Sequence, residues 1–138
     1  MSELEQLSKK ISIIYDSTQQ VLASCDVAVI ASGTATLEAA ILAKPMVVIY
    51  KSNKLSNFIL SNFFLKTKFI SLPNILSQEK IVFELRQNQV SGKEISEKVE
   101  LTFENQEVIS NKLSLIRDSL LVTDSNKFSI ALKEILAK

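Results

Sequence analysis

Histidine is absent from this 138-residue chain. That removes imidazole both as a general base and as a metal ligand. Cysteine occurs once, at Cys25, which excludes an internal disulfide and any paired-cysteine metal site, and fits a reducing compartment. Charge of one sign is not in excess: 16 basic residues face 15 acidic ones, a net charge of +1. A nucleic-acid binder neutralises phosphates with a basic surface, so no nucleic acid is expected as the main partner. No apolar run approaches the roughly 20 residues of a membrane-spanning helix. The opening stretch MSELEQLSKK is polar and charged, unlike a secretory signal. Glycine and proline are scarce, with two of each, so each one calls for a physical reason.

Apolar residues make up 46% of the chain and charged residues 22%, the balance of a globular domain with a real core. ISIIY (Ile11–Tyr15) is short, branched and bounded by polar residues, which predicts a buried strand. DSTQQVLASC predicts a short helix that Asp16, Ser17 or Thr18 can cap. VAVIA (Val27–Ala31) lacks polar alternation, as expected of a strand covered on both faces. ATLEAAILA has helical composition. PMVVIY (Pro45–Tyr50) predicts a third strand, with Pro45 at its start, where a missing N–H donor is tolerated. KLSNFILSNFFLK predicts a helix, and FISLP (Phe69–Pro73) a fourth short strand. Strand and helix alternate, so the fold class is α/β with a small parallel sheet.

After Asn74 the pattern turns helical. QEKIVFELRQN predicts one amphipathic helix, and GKEISEKVELTFEN a second, with Gly92 punctuating its start. Ile109, Leu113, Ile116 and Leu120 share one face of a third. Phe128, Leu132 and Ile135 line a fourth. The charged residues of 93–107 suit a solvated helix face.

Gly33 lies in Ser32-Gly33-Thr34, where a strand is expected to end and a helix to begin. A helix N-terminus offers unpaired N–H groups and a partial positive charge. In a parallel sheet such ends gather at the edge where ligands bind. Glycine permits a sharp turn and close approach of an anion, and Ser32 and Thr34 bring hydroxyls. Two readings of this junction stand: a phosphate site, or a tight turn with Thr34 as N-cap. It is neither a Walker loop nor a GxGxxG fingerprint. Glu38 lies one turn on, four residues from Thr34, so it does not complete a capping box. It is either a surface carboxylate favoured by the helix dipole or an acceptor for sugar hydroxyls. Asn74, after Pro73, is a common turn former. Cys25 suits a core position, and Lys44–Pro45 a turn. Phe58, Phe63 and Phe64, among apolar neighbours and lysines 51, 54, 66 and 68, suit either a helix buried against another domain or a membrane surface.

CDVAVIASGTATLEAAILAKPMVVIYK followed by LKTKFISLPNIL resembles the C-terminal half of lipid-A-disaccharide synthases. Their recurring features are SGT-A-x-LE, a (K/R)xPMVV-like strand ending near tyrosine, and K-T-x-(F/Y)-(V/I)-SLPN-(L/I)-L. All occur here in order and at the family's spacing, between about Asp26 and Leu76. The resemblance implies a partial Rossmann-like sheet, the nucleotide-binding half of a GT-B glycosyltransferase. Residues 1–76 would form the UDP-sugar-binding part and residues 77–138 its helical C-terminal portion. It implies nucleotide binding by Ser32, Gly33, Thr34, Glu38 and Asn74, with Tyr50 and Lys51 as neighbours, and neither metal nor cofactor.

The implied reaction joins UDP-diacylglucosamine to diacylglucosamine 1-phosphate, in the cytoplasm or on the inner membrane's surface. The family's N-terminal half, with its glycine-rich motif, its acidic base and most of the acceptor surface, has no counterpart here. No catalytic residue is therefore expected in this chain. Its expected partners are the UDP-sugar donor, the lipid acceptor through the other half, and either a second copy or an N-terminal half. Two other readings stay open: a non-catalytic nucleotide- or partner-binding module, and the donor-binding subunit of a split enzyme.

Overall fold

The computed structural model describes residues 12, 14, 15, 18–51 and 68–122. Helix α1 (Thr18–Ser24) leads to strand β1 (Ala28–Ala31), helix α2 (Ala35–Ile41) and strand β2 (Met46–Tyr50). Helix α3 (Leu72–Ser77), strand β3 (Phe83–Arg86) and a 3₁₀ turn (Gln87–Gln89) follow. Helices α4 (Gly92–Glu104) and α5 (Gln106–Val122) complete the described fold. The sheet is parallel, in the order β1-β2-β3. Ala28 pairs with Met46 and Ala31 with Ile49, while Val47 pairs with Phe83 and Tyr50 with Arg86. The strand–helix–strand unit of 28–50 is thus the crossover that parallel pairing requires.

Burial explains the absence of polar alternation in β2. Met46, Val47 and Val48 are fully buried, although successive side chains of a strand point to opposite faces. Met46 and Val48 enter a cluster with Leu22, Ala39, Ala40, Val82, Ile109, Leu113 and Ile116. Val47 lies outside that cluster. Helix α4 packs against all three strands, and α5 packs against α2 and α3. The small residues Ala39 and Ala40 let α2 lie close to its neighbours. The expected apolar face of α5 is the observed one: Ile109, Leu113 and Ile116 are buried, and Leu120 packs against them.

Helix α4 starts where Gly92 predicts it. Ser91 is its N-cap, accepting from the Glu94 N–H at 3.2 Å. Helix α2 ends with Ala43 in the left-handed region (φ 50°). There the Ala43 and Lys44 N–H groups donate to the Ala40 and Ala39 carbonyls, and Ser110 Oγ donates to the Ala43 carbonyl at 2.8 Å.

Three expectations change. Of ISIIY, the described residues Ser12, Ile14 and Tyr15 form no strand, and Ile14 and Tyr15 are 60% and 79% exposed. Among the described residues β1 pairs only with β2, so no strand from this run is seen on its other edge. FISLP is not a strand either. Leu72 and Pro73 open α3, with Pro73 in the first turn, where no donor is needed. The third observed strand, Phe83–Arg86, falls within QEKIVFELRQN, which was expected to be helical. A short apolar run fits either period, and pairing with buried β2 decides it. The sheet therefore extends beyond residue 76 into the portion expected to be all helix. The aromatic helix expected around Phe58–Leu65 and the last helix, around Phe128–Ile135, lie outside the described residues.

Candidate functional site

The C-terminal ends of three parallel strands, Ala31, Tyr50 and Arg86, share one edge of the sheet. Ser32 leaves β1 at that edge, and its N–H still donates to the Ile49 carbonyl at 2.8 Å. Its hydroxyl donates to the Ile70 carbonyl, also at 2.8 Å. A serine hydroxyl has one proton, so Ser32 is a tie between the first turn and residue 70 rather than a spare donor.

The chain then turns through Gly33 and Thr34. The Gly33 carbonyl accepts from the Thr36 N–H and the Thr36 hydroxyl. The Thr34 carbonyl accepts from the N–H groups of Leu37 and Glu38. The N–H groups of Gly33, Thr34 and Ala35 have no acceptor among the described residues. Thr34 occupies the N-cap position, yet its side chain makes no capping bond. Gly33 does not have a positive φ, and a Cβ there would meet nothing among the described residues. The expectation that glycine is needed to turn the backbone is thus not met. What it contributes is a bare, exposed stretch of main chain at the edge. Glu38 is exposed one turn further on, and its carboxylate has no hydrogen bond or ion pair among the described residues. Residues 32–34 and 38 are together; Tyr50 and Lys51 close β2 at the same edge.

Asn74 stands apart. It is 0% exposed. Its Nδ2 donates to the Val82 carbonyl and to Glu84 Oε1, both at 2.9 Å. Its Oδ1 accepts from the N–H groups of Ile81 at 2.8 Å and Val82 at 2.9 Å. Both amide ends are engaged in joining α3 to the start of β3. A buried amide in that state has little left for a ligand. The placement of Asn74 against a nucleotide, implied by the resemblance, gives way to a structural role.

The residue that organises this edge is one that sequence reasoning missed. The Glu84 side chain, on β3, is only 6% exposed. Its carboxylate accepts from the Ile70 N–H, the Ser71 N–H, the Ser71 hydroxyl, Asn74 Nδ2 and Arg86 Nη2. The Arg86 contact is an ion pair of 3.0 Å, and the same nitrogen donates to the Lys68 carbonyl at 2.7 Å. Burial pushes the Glu84 carboxyl upward, but Ser71, Arg86 and the Ile70 N–H outweigh it and hold it below the ordinary carboxylate value. It is an anion at neutral pH. The signal was available: an acid amid Val82, Phe83 and Leu85 is either solvated or, if buried, must be paired. In the amphipathic helix expected for this stretch, a charged side chain belongs to the polar face and calls for no partner.

Cavities of about 460 Å³ and 650 Å³ lie along β1 and at its N-terminal end, beside Val29 and beside Asp26 respectively. Neither is lined by Ser32, Gly33, Thr34 or Glu38. Among the described residues no cluster of acidic or cysteine side chains could hold a metal ion.

The sequence matches the family described as lipid-A-disaccharide synthetase over residues 2–137. The chain belongs to that family. A lipid-A-disaccharide synthase of Colwellia psychrerythraea is 36% identical over 128 residues, 92% of this chain and 32% of that protein. One of Cellvibrio japonicus is 45% identical over 97 residues, 70% of this chain and 25% of that protein. One of Pseudomonas fluorescens is 33% identical over 140 residues, 99% of this chain and 37% of that protein. The chain thus spans about a third of the length of the lipid-A-disaccharide synthases it matches.

Proposed function

We propose that this chain carries the donor-nucleotide part of a lipid-A-disaccharide synthase, a glycosyltransferase joining UDP-diacylglucosamine to diacylglucosamine 1-phosphate. The observation that carries the reading is the family match across residues 2–137. The bare turn at 33–35 supplies a place for the diphosphate. Three N–H groups and the Thr34 hydroxyl, all without a partner among the described residues, suit an anion. As the bond from the anomeric carbon to the diphosphate breaks in an inverting displacement, negative charge grows on the leaving oxygen. Donors already aimed there lower the barrier. Glu38 accepts from the ribose hydroxyls, far enough along the helix not to face the phosphates. Ser32 holds the turn in place through Ile70 rather than donating to the ligand.

The base that activates the acceptor and most of the lipid-binding surface belong to the part of the family's fold that this chain does not span. A second reading of the same site makes the chain the donor-binding subunit of a split enzyme. The work would take place on the cytoplasmic face of the inner membrane, where both lipid substrates are held. No helix among the described residues is long and apolar enough to cross a membrane.

The test is calorimetric titration of the 138-residue chain with UDP, beside a Glu38→Ala variant. Loss of a hydrogen-bonded acceptor costs about 1 kcal/mol, or about fivefold in affinity. Equal binding by the two proteins would remove the ribose role of Glu38. A synthesis assay with both lipids, with and without a separately expressed N-terminal half of a relative, separates the two readings. Activity only in the mixture supports the split enzyme, and activity of the chain alone overturns the half-enzyme reading.

A further inference from the structure

The buried carboxylate of Glu84 is more than a fold constraint, because of where its donors lead. Ile70 is bonded on both sides of its residue. Its N–H donates to both Glu84 oxygens at 3.1 Å, and its carbonyl accepts the Ser32 hydroxyl at 2.8 Å. Ser32 lies immediately before the bare Gly33–Ala35 turn. Among the described residues, the two peptides that flank the Ile70 Cα thus join a charged anchor on the third strand to the turn that leaves the first, the Ser71 N–H sharing its planar peptide with the Ile70 carbonyl. The anchor is tightly specified. Ser71 meets Glu84 Oε1 with both its N–H (2.9 Å) and its hydroxyl (2.7 Å). Arg86 supplies the countercharge and reaches on to the Lys68 carbonyl. The 68–71 segment has no regular secondary structure of its own, so these bonds, not a ladder, set its position.

We propose that Glu84 is a positioning residue for the Ser32–Thr34 turn, acting through the Ile70 N–H and carbonyl on the Ser32 hydroxyl. Charge-assisted bonds are roughly twice as strong as neutral ones. An ionised Glu84 therefore fixes the Ile70 carbonyl, and the Ser32 proton follows it. The turn is presented to its ligand already ordered, which reduces the entropy lost on binding. The functional part of this proposal rests on the nucleotide reading of the turn; the positioning part does not.

The experiment separates the two. The full 138-residue chain, labelled with ¹⁵N, is compared with Glu84→Gln, which keeps the shape and removes the charge, and with the conservative Ser71→Ala, which removes one donor. The signals read are the amide resonances and hydrogen-exchange rates of Ile70, Ser71, Ser32 and Gly33. The amides of Ala39 and Leu113 report whether the core is intact. UDP titrations accompany both variants.

In Glu84→Gln the Ile70 and Ser71 amides are expected to move upfield. Exchange at Ser32 and Gly33 is expected to quicken while the core amides stay protected. Ser71→Ala is expected to produce the same pattern at smaller amplitude, so a Glu84→Gln chain that fails to fold leaves a second variant to decide. UDP affinity is expected to fall about fivefold. Changes confined to Ile70 and Ser71, with Ser32 and Gly33 unmoved, would overturn the positioning role. A moved Ser32 with undiminished UDP affinity would overturn its bearing on the ligand. A moved Ser32 in a chain whose parent binds no UDP would uphold the positioning and overturn the nucleotide reading instead.

Discussion

Replacing Asn74 with alanine discriminates between its two roles. As a nucleotide ligand, the side chain would stand free, and its loss would weaken UDP binding with little effect on folding. As observed, it is fully buried and makes four hydrogen bonds at 2.8–2.9 Å. Alanine would leave the N–H groups of Ile81 and Val82 without their acceptor and remove one donor from a buried carboxylate. A buried polar group left unsatisfied costs about 1–3 kcal/mol, more where charge is involved. Relaxation and water entry recover part of that, so about 3 kcal/mol is the expected net loss. Urea unfolding followed by circular dichroism measures it, and at a slope of about 1–3 kcal/mol per molar the midpoint should fall by at least 1 M. A loss below about 1 kcal/mol would refute the structural role, and the refutation would be complete if UDP affinity dropped as well.

Glu84 makes stability dependent on pH, and the sign follows from its lowered pKa. Its contribution is whole above the ordinary carboxylate value of 4.5 and is lost as pH falls through the lower folded value. The parent should therefore lose more stability than Glu84→Gln when urea midpoints are compared from neutral pH into that acid range. Parallel curves would refute this. Leu113→Ala, at a fully buried position in the core cluster, should cost about 2–5 kcal/mol by the same unfolding assay. Gln78, exposed and left-handed at the end of α3 (φ 55°), should gain about 0.5–1 kcal/mol on replacement by glycine, seen as a raised melting temperature.

The parts of the fold that could be read in advance are those where one period dominates. Val27–Ala31 and Pro45–Tyr50 are continuous apolar runs, and they contain the paired parallel strands Ala28–Ala31 and Met46–Tyr50. Ile109, Leu113 and Ile116 recur at helical spacing, and all three are buried. The part that could not be read lies between residues 69 and 86. There two polar side chains decide the conformation. Asn74 and Glu84 take up N–H groups of Ile70, Ser71, Ile81 and Val82. Those groups would otherwise need a ladder or a helix. Such satisfaction is set by residues 7 to 14 apart in sequence, and no hydrophobic period records it. The candidate site shows the same division. Ser32, Gly33, Thr34 and Glu38 are local to one turn, and their grouping was legible in the sequence. Glu84 acts from a different strand and was not.

A buried anion beside a turn proposed to take a diphosphate poses an electrostatic problem. Unpaired, Glu84 would repel the ligand, and its own desolvation would raise its pKa until it became neutral. Neither follows, because its charge is closely accounted for. Arg86 lies 3.0 Å from one oxygen, and four uncharged groups (the N–H of Ile70, the N–H and hydroxyl of Ser71, and Asn74 Nδ2) occupy the rest of the carboxylate. The field that reaches the turn is that of a compact ion pair, which falls off faster with distance than that of a lone charge. Order without repulsion is then achieved by placing the charge on the third strand and passing only its geometry, through the Ile70 N–H and carbonyl, to Ser32. The same arrangement implies a cost for exchanging Arg86 for a neutral side chain. Without it, the anchor that orders the turn would become the charge that opposes its ligand.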